Sequence, residues 1–404
     1  MDILSMPPTS TAALELTLSE LAPRALQSEI RAMTMECDRI GGVNLAQGVC
    51  DTDVPGPVME GAITAMREGH NIYSRLDGIA RLRNAIAAKV QWFNGIEVDP
   101  GREILVTSGA SGGLHAAAMA LLNPGDEVIL FEPFYGYHAG TLRSMRVKPV
   151  VVPLNPPVSA EADWTLDLDA VRAALTPQTR AMIINTPSNP CGKIFTRAEL
   201  ETLGEVAAEH GLFVISDEIY EHFVYGENEH VSPMTLPGMR ERTVMISGFS
   251  KTFSVTGWRL GFLIADAKWL GAMSYFHDLT YVCAPSPLQH GAAQGLEQLG
   301  SEFYTQVAKD HEGKRARMVA ALEDAGMKPY IPAGAYYVLA DASGLPGENA
   351  ATKARALLAR TGVASVAGSA FFRHGHGEDL LRFCFAKKDV DLDDACARLR
   401  TLKL

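Results

Sequence analysis

No apolar run in the sequence approaches the roughly 18 residues that a membrane-spanning helix needs, so a membrane protein of that kind is not expected. Cysteine is sparse: six residues, at 37, 50, 191, 283, 384 and 396, with no Cys-x-x-Cys pair. That pattern gives neither a disulfide framework nor a zinc site, and it fits a reducing cytoplasm. Positive charge is in deficit, with 36 Lys+Arg against 47 Asp+Glu and a net charge of −11. General nucleic-acid binding needs a basic footprint, which this balance does not supply. The start, Met1-Asp2-Ile3-Leu4-Ser5, carries an acid and no basic stretch, so a secretory signal is not expected either. A local cationic pocket for a small anion remains compatible with the total.

What is present is ordinary globular composition, 47% hydrophobic and 21% charged over 404 residues, enough for one large domain or two. Residues 1–13 read as a loose leader. Leu18, Leu21, Leu26, Ile30 and Met33 give a helical period from Leu14 to about Ile40, interrupted by Pro23. Residues 57–68 and 79–93 also read as helices. From 104 to 265 short apolar runs alternate with helical stretches: Ile104–Val106, Glu127–Phe131, Pro149–Val152, Ala181–Ile184, Phe213–Ser216, Thr243–Ile246 and Gly261–Ile264. This predicts an α/β fold with a mostly parallel seven-stranded sheet and helices on both faces. Beyond about 300, a long helix and the runs Tyr336–Ala340 and Leu380–Phe385 suggest a smaller α+β unit. The expected division is a large domain at 48–295 and a small domain at 296–404 that also takes in residues 1–47.

The chemistry centres on Ser247-Gly248-Phe249-Ser250-Lys251-Thr252-Phe253-Ser254-Val255-Thr256-Gly257-Trp258-Arg259. A lysine among small and aromatic residues belongs in a tight, partly buried turn. Burial lowers a lysine pKa and makes it a candidate Schiff-base amine, and Arg259 eight residues on suits a phosphate. The competing reading is a purely structural turn. In an open α/β sheet, ligands sit beyond the carboxyl ends of the strands, where three further segments fall. Ser108-Gly109-Ala110-Ser111-Gly112-Gly113 opens a helix with bare backbone N–H groups, a phosphate cradle or simply a small-residue helix start. Asn185-Thr186-Pro187-Ser188-Asn189-Pro190-Cys191-Gly192 is a rigid turn presenting Asn189. Asp217, in Asp217-Glu218-Ile219-Tyr220, either pairs with a cation or caps a helix. His374-Gly375-His376 and the Glu227/Glu229/His230 segment read as solvated loops, and no metal site is expected.

The ordered set of Tyr73 with Gly78, Ser108–Gly112, Asn185–Gly192, Asp217–Tyr220, Ser250-Lys251 with Arg259, and Arg382 resembles the class I/II aminotransferases of pyridoxal-phosphate fold type I, along nearly the whole chain. The resemblance implies pyridoxal 5'-phosphate as cofactor and Lys251 as Schiff-base lysine and proton shuttle. It implies Asp217 on the pyridinium nitrogen, Asn189 and Tyr220 on the ring oxygen, and Tyr135 stacked on the ring. Ala110, Ser111, Ser250 and Arg259 would hold the phosphate. Tyr73 would reach the phosphate of the neighbouring subunit in a homodimer. Arg382 would clamp the substrate carboxylate, with Gly48 closing over it. Pro133 and Pro190 match positions that are often cis in such proteins.

Three positions depart from the common pattern: Gly248 for a phosphate-binding serine, Tyr135 for a tryptophan, and Cys191 for a threonine. The implied activity is transfer of an amino group from an L-amino acid to a 2-oxo acid, 2-oxoglutarate or pyruvate, in a ping-pong cycle. A lyase of the same fold, a carbon–sulfur β-lyase or a cyclopropane-forming synthase, is the alternative. A regulator using such a domain as a sensor would carry a basic DNA-binding unit ahead of it, and the segment before Gly48 is not basic. The side-chain pocket is not legible: no second arginine stands out as the partner of a dicarboxylate.

Overall fold

The computed structural model describes residues 16–22, 29–159, 162–373 and 375–404. The first helix, α1 (Glu29–Ile40), leads into a short strand β1 (Val43–Asn44) and the helices α2 (Gly56–Arg67) and α3 (Ala80–Asn94). The expected helix from Leu14 is therefore shorter. Residues 16–22 form a turn rather than helix, and Leu18 is solvent-exposed, so its apolar period has no core to face. The leader, Pro23 and Leu26 lie outside the described residues.

The central segment supplies β2 (Ile104–Thr107), α4 (Gly109–Leu121), β3 (Glu127–Glu132), α5 (Gly136–Ser144), β4 (Lys148–Pro153), α6 (Leu168–Ala173), β5 (Thr179–Asn185), α7 (Arg197–Glu209), β6 (Phe213–Asp217), β7 (Thr243–Gly248) and β8 (Gly261–Ile264). The seven strands β2 to β8 make one sheet in the order β2-β8-β7-β6-β5-β3-β4. Strands β4, β3, β5, β6 and β7 pair in parallel, while β8 runs antiparallel between β7 and β2. Successive residues of each strand point to opposite faces, and both faces are buried. Leu105, Leu130, Ile183 and Leu263 pack with α4 and α5. On the other side Ile104, Val106 and Ile264 meet α2 and α3, and Ile129 and Met182 meet α7. Strands covered on both sides read as continuous apolar runs, which is why six of the seven are visible in the sequence; the edge strand β4 is only half-buried and shows through its three valines.

The rest of the chain adds α8 (Ala267–Tyr281), α9 (Ser286–Gln298), α10 (Ser301–Asp324), β9 (Lys328–Tyr330), β10 (Tyr337–Asp341), α11 (Ala350–Thr361), β11 (Val363–Ala364), β12 (Val366–Ala367), β13 (Leu380–Cys384) and α12 (Asp389–Leu399). Strands β12-β13-β10-β9 form an antiparallel sheet. Strand β1 pairs in parallel with β11, which brings the N-terminal segment against the C-terminal one. Among the described residues, no helix is long and apolar enough to cross a membrane.

Candidate active site

Strand ends bring the chemistry together. Asn185 and Asp217 are register partners at the carboxyl ends of β5 and β6, and the Asn185 amide donates to the Asp217 carbonyl at 2.9 Å. Beyond these ends lies a cavity of about 710 Å³, lined by Gly48, Ala110, Ser111, Tyr135, Asn189, Asp217, Tyr220, Ser250, Lys251, Arg259 and Arg382. Eleven of the twelve residues expected from the sequence thus share one cavity. Tyr73 does not: it is 77% exposed and lies away from the cavity of its own chain.

Lys251 follows β7, and its Nζ donates to the Gly48 carbonyl at 2.9 Å. Burial pushes its pKa down to about 8; the thiols of Cys384 and Cys50 oppose that shift, and Arg259 and Arg382 reinforce it. A lysine that loses its proton near pH 8 is equipped to attack a carbonyl. A purely structural turn would not require a desolvated amine facing a cavity.

Asp217 does not cap a helix. One carboxylate oxygen accepts the Ile219 N–H at 3.3 Å in a local turn. The other accepts from His138 Nε2 at 2.9 Å. His138, buried on α5, escaped sequence reading because a lone histidine in a helix carries no motif. At the same wall Tyr220 shares a 2.9 Å hydrogen bond with Tyr337. Burial holds the Tyr220 hydroxyl well above its ordinary pKa, and burial raises Tyr337 to about 12, against the pull of Arg382. Tyr135 stacks on Tyr137 with ring centroids 4.9 Å apart, and burial pushes its hydroxyl pKa up.

Arg382, on β13, is 1% exposed. It donates to Asn189 Oδ1 at 2.8 Å and to the Ala46 carbonyl at 2.6 Å, and it lies over the rings of Tyr337 and Phe371. Its Nε finds no partner in the buried interior, which leaves the guanidinium with donor capacity for an incoming anion.

The part of the cavity lined by Ala110, Ser111 and Arg259 suits a phosphate. The N-cap of α4, Ser108, makes no side-chain cap, so the first-turn N–H groups are open to an anion. Gly109 has φ +69, and a Cβ there would lie 2.7 Å from Arg259 Nη2; the guanidinium therefore rests directly on the helix start. Gly248 has a steric reason for departing from serine. It faces Gly261 in register, and a Cβ would sit 2.9 Å from the Gly261 Cα, so a side chain there would push β7 and β8 apart. Cys191 is buried and contacts the Ser188 hydroxyl at 3.0 Å. The Glu132-Pro133 and Asn189-Pro190 bonds are cis as expected, and Thr186-Pro187 is cis as well.

One loop differs from its sequence reading. Glu227 and Glu229 are exposed, but the His230 side chain is buried and its Nε2 lies 2.8 Å from Glu218. The buried Glu218 carboxylate needs donors, and Ser232 supplies a second at 2.8 Å. Glu218, Glu221 and His230 converge closely enough to hold a cation. Lys89 at 2.6 Å and Ser247 at 2.7 Å already engage Glu221. His374 lies outside the described residues.

A buried amine, a carboxylate backed by histidine, stacked aromatic rings, an arginine–helix cradle and a second arginine form one donor set. It fits a phosphorylated pyridine aldehyde, and on this fold it defines a fold-type-I pyridoxal-phosphate enzyme. The sequence profile of "Aminotransferase class I and II" matches residues 40–399. The chain belongs to that family, and its activity is pyridoxal-phosphate-dependent transamination. It is 36% identical over 397 residues to the probable N-succinyldiaminopimelate aminotransferase DapC of Mycobacterium tuberculosis, covering 96% of this chain and 98% of that one. The solved structure of that species' N-succinyldiaminopimelate aminotransferase aligns with a TM-score of 0.91 at 35% identity, over 96% of this chain and 100% of the other. The human kynurenine–oxoglutarate transaminase 3 is 36% identical, covering 87% of this chain and 83% of its own length. These relatives are named as aminotransferases, which favours that activity over the lyase alternative.

Proposed function

We propose that this aminotransferase moves the amino group of an L-amino acid to 2-oxoglutarate or pyruvate in two half-reactions, with Lys251 as the amine that attaches to the cofactor and shuttles the proton. The observation that carries this reading is the Lys251 amine, with its pKa near 8, in one cavity with Asp217 and Arg382. Bound at this site, pyridoxal phosphate supplies an aldehyde and a ring that accepts the electrons of the broken Cα–H bond. Asp217, held by His138, would keep a proton on the ring nitrogen. Tyr220 and Asn189 would hydrogen-bond the ring oxygen, and Tyr135 would stack on the ring. Ala110, Ser111, Ser250 and Arg259 would hold the phosphate, while Arg382 and Gly48 would position the substrate carboxylate. Lys251 Nζ would take the proton from the substrate Cα and hold it for return. The relatives' names include an N-succinylated diamino acid and kynurenine as donors and oxoglutarate as acceptor; the pocket aromatics Tyr135 and Tyr137 suit an aromatic or neutral donor.

A homodimer completes this reading. Ile72, Tyr73, Tyr275 and Leu279 are largely exposed on one chain, and covering them with a second copy would let Tyr73 reach the partner's phosphate. The β1–β11 pairing supports assigning residues 1–47 to the small domain with 296–404, leaving 48–295 as the large one. Six free cysteines suit a reducing cytoplasm.

The test is a half-reaction. Adding amino donor to the holoenzyme without an oxo acid should convert the cofactor spectrum to its pyridoxamine form, and Lys251→Ala should abolish turnover. Release of ammonia and pyruvate from a cysteine-type substrate, without that conversion, would point to the lyase instead. Full turnover in the Lys251→Ala protein would sink the assignment.

A further inference from the structure

Beside Arg382 and Arg259, the cavity wall holds a third arginine, Arg31. Helix α1 places Ile30, Arg31 and Thr34 against the cavity, a spacing that shares one side of a helix. Met33 and Cys37, on the adjoining stripe of the same helix, enter the core, and Ile30 packs against it. The helix is tied at two further points: Asn44 donates to Thr34 Oγ1 at 3.2 Å, and Arg355 pairs with Glu36 at 3.2 Å. Arg31 is thus carried on a fixed support.

The cavity's charge is lopsided. Its lining includes Arg31, Lys251, Arg259 and Arg382 against the single carboxylate of Asp217, in a chain of net charge −11. Lys251 donates to the Gly48 carbonyl, Arg259 to the Thr256 carbonyl, and Arg382 to Asn189 and Ala46. Among the described residues the Arg31 side chain has no ion pair and no hydrogen bond. Arg382 is buried deep in the cavity, whereas Arg31 is exposed at its edge. A substrate held by its α-carboxylate at the first would therefore occupy the cavity whose edge carries the second.

Building on the transaminase reading, we propose that Arg31 binds the side-chain carboxylate of a dicarboxylic substrate and so sets the preference for dicarboxylic over monocarboxylic oxo acids. A guanidinium pairs with a carboxylate through two parallel hydrogen bonds. A monocarboxylic acid has its only carboxylate at Arg382 and gains nothing from Arg31.

The holoenzyme, with Arg31→Gln and Arg31→Lys variants, decides the matter. Steady-state kinetics would compare 2-oxoglutarate with pyruvate as acceptor, and calorimetry would measure binding of the unreactive pair glutarate and butyrate. In Arg31→Gln we expect the dicarboxylic acceptor to show a KM raised roughly tenfold, with kcat little changed and no matching rise for pyruvate. Glutarate affinity should fall by a similar factor while butyrate affinity holds, and Arg31→Lys should recover part of the loss. Equal effects on both acceptors, or none, would overturn the proposal and leave Arg31 a solvated helix charge, while wild-type transamination would leave the transaminase reading standing. A wild-type enzyme that transaminates no amino acid would remove both.

Discussion

Arg382 and Asn189 join two sheets: the guanidinium on β13 of the small sheet donates to the amide oxygen of a residue in the turn after β5 of the large one, at 2.8 Å. The contact is buried on both sides, and it fixes the guanidinium plane before any substrate arrives. Asn189→Ala removes that acceptor while the arginine stays buried, and a buried group left unpaired costs about 1–3 kcal/mol. Chemical denaturation should show a loss of that size, together with a higher KM for amino donors of every side-chain type.

The His138–Asp217 pair sets up a second test. The carboxylate relies on His138 Nε2 at 2.9 Å, so His138→Phe leaves it poorly oriented. Losing one charge-assisted hydrogen bond should weaken pyridoxal-phosphate affinity roughly tenfold, read by titrating the ligand-free protein with cofactor. His138→Gln, which can still donate, should retain more of the affinity.

The Lys251 amine titrates near 8 instead of its usual 10.5, so it is neutral above about pH 8. The rate at which ligand-free protein captures an aldehyde should climb through that pH, not through 10.5. Folding stability follows the same proton with a definite sign. Between about 8 and 10.5 the unfolded chain still binds a proton that the folded chain has released, so stability rises with pH across that window. Lys251→Met should remove this slope in denaturation curves taken from pH 7 to 11.

Gly48→Ala probes how closely the wall is packed. A Cβ at Gly48 would lie 2.1 Å from the Tyr337 hydroxyl, which is itself bonded to Tyr220. The tyrosine must move, and overpacking of this kind typically costs about 1–3 kcal/mol. A lower melting temperature should accompany reduced kcat/KM, and Gly48→Ala combined with Tyr337→Phe should recover part of the stability.

Much of this was legible in the chain. All seven central strands showed as apolar runs, six because both faces are covered and the edge strand β4 through Val150, Val151 and Val152, which are half-buried or buried, and Asp217, Lys251 and Arg382 stood in recognisable company. His138 and Tyr337 were not visible: each acts through a partner distant in sequence, Asp217 and Tyr220, and a helix or strand residue of ordinary type carries no local mark of that. Arg31 was hidden for another reason. It lies in a helix whose apolar period was read from Leu14, whereas the described helix spans Glu29–Ile40 and residues 16–22 are not helical, and the packing of α1 through Met33 and Cys37 leaves that arginine lining the cavity. The buried His230 was missed because its neighbours Glu227 and Glu229 are solvated and its partner Glu218 is twelve residues away.

Strand β8 runs against its neighbours, and that reversal has a consequence for how the site holds its dimensions. Because β7 and β8 are adjacent and antiparallel, the chain leaves β7, passes Lys251, and returns through Arg259 to the same end of the sheet within one connection. The separation of amine and guanidinium is therefore ruled by a short covalent tether pinned at both feet to paired strands. Arg382 reaches the same cavity from the small sheet, held there by Asn189 and the Ala46 carbonyl. The reach of the lysine to whatever Arg259 holds is accordingly set by one short loop, so substitutions around Arg382 can change substrate grip without altering it.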